Sequence, residues 1–253
     1  MRALVGGDWP AWSHTLFRGQ TKWGRLGNAL LDLIFPPRCA GCGQSGSLWC
    51  YACQASVRVI RDPICSHCGR PLGNQRDARL CLPCRYSPPE IDGIRSAVMF
   101  EGPLREAIHH LKYSGRTSLA EPLGAFLSAR WQADPLPADT IVPVPLHASR
   151  VRERGYNQSA LLAEQLSRAS GLPLAESMLT RVRATAPQVT LNAAERKMNV
   201  RDAFQAFGDA ARGKRVLLVD DVCTTGATLE SCSLALRRAG AASAWAVTLA
   251  RAP

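Results

Sequence analysis

Val216-Leu-Leu-Val-Asp-Asp-Val-Cys-Thr-Thr-Gly-Ala-Thr228 runs from four aliphatic residues through two acids and a small, hydroxyl-rich turn into a segment of helical apolar periodicity. An aliphatic run of this kind suits a buried strand of a parallel sheet. In open parallel sheets, ligands bind at the carboxyl ends of the strands. A helix that starts there offers backbone N–H groups and the positive end of its macrodipole to a phosphate. The hydroxyls of Thr224, Thr225 and Thr228 add donors, and Gly226 lets the backbone come close to a ligand. Asp220 and Asp221 would repel a phosphate, so they must address another part of the ligand. Sugar hydroxyls are the natural target.

The same alternation continues on either side of this segment. Ile94–Phe100, Thr140–Val144, Arg215–Asp220 and Ala244–Leu249 read as strands, and Pro103–Tyr113, Ser118–Trp131, Asn157–Ala169 and Ala227–Ala239 as helices. Strands alternating with helical patterns predict an α/β fold, a parallel sheet flanked by helices, over residues 92–253. Tyr86 to Asp92, with Pro88 and Pro89, reads as a linker. Leu26, Ala29, Leu30, Leu33 and Ile34 recur at helical spacing and predict a short helix over Trp23–Phe35, ended by Pro36 and Pro37. Residues 1–22 have no clear periodicity and are expected to be a disordered extension.

Eight of the ten cysteines fall between Cys39 and Cys84, in four Cys-x-x-Cys pairs: Cys39 with Cys42, Cys50 with Cys53, Cys65 with Cys68, and Cys81 with Cys84. Two intervening residues let both sulfurs of a tight knuckle face one tetrahedral ion, and two knuckles complete its shell. Residues 23–86 are therefore read as a helix plus a double zinc-ribbon module holding two zinc ions. Pairing can be sequential or interleaved, and the shorter loop closure favours sequential. With four sulfurs per ion no open position is left for hydrolytic chemistry, so the module is read as structural. His67 lies inside a knuckle as a spacer. Cys223 and Cys232 lie outside the block and are read as filler and core.

A formal charge of +11 and an isoelectric point near 9.6 favour an anionic partner, nucleic acid or a phosphorylated metabolite, with a soluble basic surface as the alternative. Most of the excess is arginine, whose planar fork of donors matches phosphate. There is no run of about 18 apolar residues, so no membrane-spanning helix is expected. The N-terminus lacks the basic start and compact apolar core of a signal peptide, and a cytoplasmic location is the expectation. In that compartment dense cysteine points to metal rather than disulfides.

The Val216–Thr228 segment resembles the phosphoribosyl pyrophosphate signature of type I phosphoribosyltransferases over thirteen consecutive positions. By that resemblance Asp220 and Asp221 would hold the ribose hydroxyls, and Thr224, Thr225, Gly226, Ala227 and Thr228 would wrap the 5-phosphate. The cysteine knuckles, then Leu111-Lys-Tyr-Ser-Gly-Arg116, Val142-Pro-Val-Pro-Leu-His147 and Arg152-Glu-Arg-Gly-Tyr-Asn-Gln158, then the signature, look like the ComF family, which includes competence and GntX-type proteins. The resemblance runs from about residue 25 to the C-terminus. It implies that the turn Val144–Arg154 lies where pyrophosphate is held, with Arg150, Arg152 and Arg154 supplying charge and Tyr156 or Asn157 fixing the next helix. His147 has the pKa range of a general base but no partner in the sequence. Arg181–Arg201, with Thr185, Gln188, Leu191, Arg196 and Asn199 in a family-like pattern, corresponds to a mobile hood, and Arg196 and Lys197 are candidate pyrophosphate ligands.

Two readings follow from the resemblance. One is an enzyme that displaces pyrophosphate from the anomeric carbon of ribose, with magnesium offsetting charge on the leaving group and an acceptor base that no segment identifies. The other is a binding module of DNA uptake, in which the zinc ribbons and basic surface hold single-stranded DNA and the ribosyl pocket takes phosphoribosyl pyrophosphate or a nucleotide-like ligand. Such transfer depends on positioning and charge, so the lack of a Ser/His/Asp or Cys/His constellation argues against neither.

Overall fold

A computed structural model describes residues 36–73, 78–184, 198, 200 and 202–253. The expected extension over 1–22 and the helix over Trp23–Phe35 lie outside the described residues. Arg38–Pro253 forms one compact unit. Two one-turn helices, α1 (Tyr51–Ala55) and α2 (Leu82–Tyr86), belong to the cysteine block. The remainder runs β1 (Gly93–Met99), α3 (Gly102–Tyr113), α4 (Ala120–Ala133), β2 (Thr140–Pro143), α5 (Ala148–Arg154), α6 (Gln158–Ser170), β3 (Leu179–Arg181), β4 (Phe204–Ala206), β5 (Arg215–Cys223), α7 (Ala227–Arg238) and β6 (Ser243–Arg251).

The main sheet has the order β1-β6-β5-β2, and every pairing in it is parallel. β5 lies between β6 and β2, which is why its aliphatic run is buried on both faces. The period of two sorts its side chains. Leu217 and Val219 join α3, α4 and α6 in one core through Leu104, Ile108, Leu111, Leu123, Leu127, Leu162 and Leu166. Val216 and Leu218 join α7 and the β3–β4 region in the other through Leu229, Cys232, Leu236, Met178, Leu179 and Phe204. Cys232 is thus core, as read from the sequence.

The cysteine block covers the free edge of β1. Val59 bridges Val98 antiparallel, the Ile60 N–H donates to the Ala97 carbonyl, the Met99 N–H to that of Arg58, and the Ile94 N–H to that of His67. Edge groups that could template foreign strands are thereby used within the chain.

Three features differ from the sequence reading. β5 continues three residues past the expected end at Asp220, because β6 supplies partners: Val222 lies opposite Ala250 and Cys223 opposite Arg251. The segment Val144–Arg154 is a turn only as far as His147 and then the helix α5, which buries no residue. A small antiparallel pair, β3 with β4, has no counterpart in the expected elements. Of the residues read as the hood, Thr185, Gln188, Leu191, Arg196, Lys197 and Asn199 lie outside the described residues.

Candidate functional site

β5 delivers two adjacent acids to the carboxyl edge of the sheet. Asp220 Oδ1 accepts from Ser159 Oγ on α6 at 2.8 Å and from the Asp221 N–H at 2.9 Å. Asp221 is buried, and its Oδ1 accepts from the Val222 N–H at 2.8 Å. Its Oδ2 lies 2.5 Å from Lys112 Nζ, paired by charge although the alignment is too poor for a hydrogen bond. Burial pushes the Asp220 carboxyl up to about 6, against the pull of Lys112, the Ser159 hydroxyl and Arg181. Burial likewise pushes the Lys112 ammonium down to about 8; Asp220 opposes that shift and Arg154 adds to it. The ammonium therefore serves both acids, touching one and polarising the other. Lys112 belongs to the Leu111–Arg116 motif but was not among the site residues expected from sequence.

After Cys223 the chain turns through Thr224 and Thr225 to Gly226, the N-cap of α7, whose φ of +85° favours glycine. The N-cap glycine has no side chain to cap the helix; Thr225 Oγ1 accepts from the Ala227 N–H at 3.3 Å, and the Gly226 carbonyl accepts the first helical bond from the Glu230 N–H at 2.9 Å. Thr225 is exposed, Thr224 and Thr228 are half-buried, and Gly226 and Ala227 are buried. The loop thus joins the acid pair to the first turn of a 12-residue helix, the geometry suited to an anion.

A cavity of about 130 Å³ beside the acids is lined by Lys112, Tyr113, Gly115, Arg150, Glu153 and Arg154. Arg154 donates to Gln158 and its guanidinium sits 5.0 Å from the Tyr113 ring centroid. Arg150 pairs with Glu153 at 2.7 Å. The spacing of four residues puts Arg150 and Arg154 on one face of α5, whereas Arg152 falls on the opposite face and is exposed. Arg196 lies outside the described residues. His147 is the N-cap of α5, its Nδ1 accepting from the Ser149 N–H at 3.3 Å, so the helix start occupies it. Asn157 fixes the start of α6, accepting from the Ser159 N–H and donating to the Val144 carbonyl, both at 3.0 Å. The Tyr156 hydroxyl donates to the Leu111 carbonyl and ties the turn between α5 and α6 to the helix that carries Lys112.

The cysteines form two clusters, Cys39-Cys42-Cys50-Cys53 and Cys65-Cys68-Cys81-Cys84, with the sulfurs of each within 4.8 Å of one another. Pairing is therefore sequential. The Cys42–Cys50 and Cys68–Cys81 sulfur separations of 3.7 and 3.6 Å are close to the edge of roughly 3.8 Å in a tetrahedron with zinc–sulfur bonds of about 2.3 Å. The two sets fit two zinc ions. Among the described residues, no helix is long and apolar enough to cross a membrane.

A family model for the double zinc ribbon domain matches residues 30–85, and one for the phosphoribosyl transferase domain matches residues 157–253. A DNA utilization protein, YhgH, of Salmonella typhi is 37% identical over 199 residues, covering 76% of this chain and 86% of that protein. Competence protein F of Haemophilus influenzae is 34% identical over 211 residues, covering 80% and 90%. Competence protein ComFC of Bacillus subtilis is 30% identical over 210 residues, covering 80% and 83%.

Proposed function

This chain belongs to the ComF family of competence proteins, and from that premise we propose that its phosphoribosyltransferase-type domain binds phosphoribosyl pyrophosphate in the service of handling single-stranded DNA. The observation that carries the reading is the acid pair at the end of β5, joined directly to the glycine-capped start of α7. Asp220 and Asp221 hold the ribose hydroxyls. Thr224, Thr225, Gly226, Ala227 and Thr228 wrap the 5-phosphate with N–H and hydroxyl donors. Arg150, Arg154 and Lys112, which line the cavity, supply the charge for the pyrophosphate in this reading. Arg152, exposed on the other face of α5, and Arg196 remain candidates for the same group.

The acids tolerate a cation beside them, as the Lys112 ammonium demonstrates, and magnesium brought in on the ligand's own oxygens suits that environment. When bound it offsets phosphate charge. In this reading the chain's own residues orient the sugar, and the arginines and lysine of the cavity supply charge to a departing pyrophosphate. An active transferase with an acceptor base still to be identified is the second reading, and that cavity favours it.

For DNA, the net charge of +11 supplies the attraction to phosphates. Tyr51 and Tyr86, 85% and 83% exposed on the two ribbons, offer faces on which bases stack. The competence and DNA-utilization names of the relatives point the same way. Isotope-labelled phosphoribosyl pyrophosphate, tested for retention on the protein and for pyrophosphate release with a panel of bases, separates the readings. Retention without release supports binding alone, base-dependent release supports catalysis, and no retention refutes both.

A further inference from the structure

We infer that Arg251 is a positioning residue through which the Cys65–Cys68 knuckle of the second zinc site holds the loop Thr224–Thr228; this rests on the reading of that loop as the 5-phosphate site. Arg251 is the last residue of β6, is 3% exposed, and lies in register with Cys223, the last residue before the loop. Its guanidinium donates to the Cys68 carbonyl at 2.6 Å and reaches Cys223 Sγ at 3.5 Å. The next residue ties the same point through the backbone, the Ala252 N–H donating to the Cys223 carbonyl at 2.9 Å.

A second path runs from the same knuckle. The His67 carbonyl accepts from the Ile94 N–H at 2.8 Å, and Gly69, at φ +71°, packs so closely that a Cβ there would lie 2.4 Å from the Ile94 carbonyl oxygen. Ile94 in turn abuts the loop: its Cδ1 is 3.2 Å from where a Cβ on Gly226 would stand. Residues 67–69 therefore hold the loop at two points, at Cys223 just before it through Arg251 and at Gly226 in its middle through Ile94.

Burial of a guanidinium requires compensation. Arg251 Nε has no hydrogen-bond partner among the described residues, so the carbonyl and sulfur contacts do not satisfy the group fully. Four thiolates around one divalent zinc leave a net negative charge, which suits a cation beside Cys68. Arg251 thus joins a charged metal centre to the strand end that feeds the loop. The first ribbon has different neighbours. Gly41 packs against Pro103, and Arg116 donates to the Arg38 carbonyl at 3.0 Å, so that ribbon braces the ends of α3, the helix that carries Lys112.

The test uses the full, zinc-loaded chain with Arg251→Met and Arg251→Lys. Calorimetry reads ribose 5-phosphate and, separately, inorganic pyrophosphate; metal analysis reads zinc. Arg251→Met should keep two equivalents of zinc and bind ribose 5-phosphate at least about tenfold more weakly, the scale of one charge-assisted hydrogen bond. Pyrophosphate binding should not change, a split that general loss of structure would not produce. Arg251→Lys should recover part of the loss, and amide exchange at Thr225–Ala227 should quicken in Arg251→Met while α6 stays protected. Wild-type affinity for ribose 5-phosphate in zinc-replete Arg251→Met overturns the inference. If that variant does not fold, unchanged ribose 5-phosphate affinity in Arg251→Lys overturns it, and a selective loss there supports it. A wild-type protein that binds neither ribose 5-phosphate nor phosphoribosyl pyrophosphate refutes the reading of the loop itself.

Discussion

Asp220→Asn should make the ligand-free protein more stable at neutral pH while removing a group that the ligand needs. Burial raises the Asp220 carboxyl from 3.8 to about 6. Between those values the folded state binds a proton that the unfolded chain releases. The stability this group contributes is therefore full below 3.8 and lost as pH rises through about 6. A shift of that size corresponds to about 3 kcal/mol at pH 7.5. Asparagine keeps an oxygen for the Ser159 hydroxyl and the Asp221 N–H but carries no charge. Lys112 keeps its ion pair with Asp221. The variant should therefore gain up to about 3 kcal/mol at pH 7.5, or about 6–12 °C in Tm for a chain of this size, with the gain shrinking towards pH 5. This is the usual exchange of stability for function at a charged site. Urea denaturation of both proteins from pH 5 to 8 reads it, and any loss of zinc in acid cancels in the difference. A variant less stable than wild type at pH 7.5, or a difference that does not vary with pH, would refute the reasoning.

Lys112→Met should act oppositely, because it leaves the 5%-exposed Asp221 side chain without its cation; a loss of about 3 kcal/mol is expected, read by the same denaturation at pH 7.5, and no loss would show that the ion pair is not formed. Metal analysis of protein purified without chelator should find two zinc equivalents, with Cys39→Ser falling to one and still binding phosphoribosyl pyrophosphate; none in the wild type would contradict the ribbons. Single-stranded DNA should bind without strong sequence preference, with an affinity that falls steeply between low and moderate salt. An affinity indifferent to salt in fluorescence anisotropy would exclude an electrostatic mode.

Where the local pattern carried the structure, the sequence was sufficient. The aliphatic run of β5, the acids, the threonines and Gly226 are consecutive, and Cys-x-x-Cys spacing alone indicated knuckles. What escaped depended on tertiary placement or on short elements. α5 has only two apolar residues, Ala148 and Val151, too few for a clear periodicity; His147 is an unusual cap, and the usable sign was Gly155, which ends the helix at φ +85°. Helical spacing there would have separated Arg150 and Arg154 from Arg152. β3 and β4 are three residues each and are separated by 22 residues of chain, too little pattern to register. Lys112 reads as a surface lysine near the end of an amphipathic helix, and only the approach of α3 to the end of β5 turns it inward. The extra length of β5 came from its ladder with β6, which no local preference reveals.

The most direct test of the central claim is calorimetry of phosphoribosyl pyrophosphate with magnesium on the wild type and on the double variant Asp220→Ala with Asp221→Ala, with thermal melts as the folding control. Each hydrogen bond to a charged group contributes about 1.5–3 kcal/mol, so loss of two should weaken binding by roughly two to four orders of magnitude in a protein that still melts cooperatively. A double variant that binds as tightly as the wild type would contradict the assignment of the acid pair, and with it the account of this site.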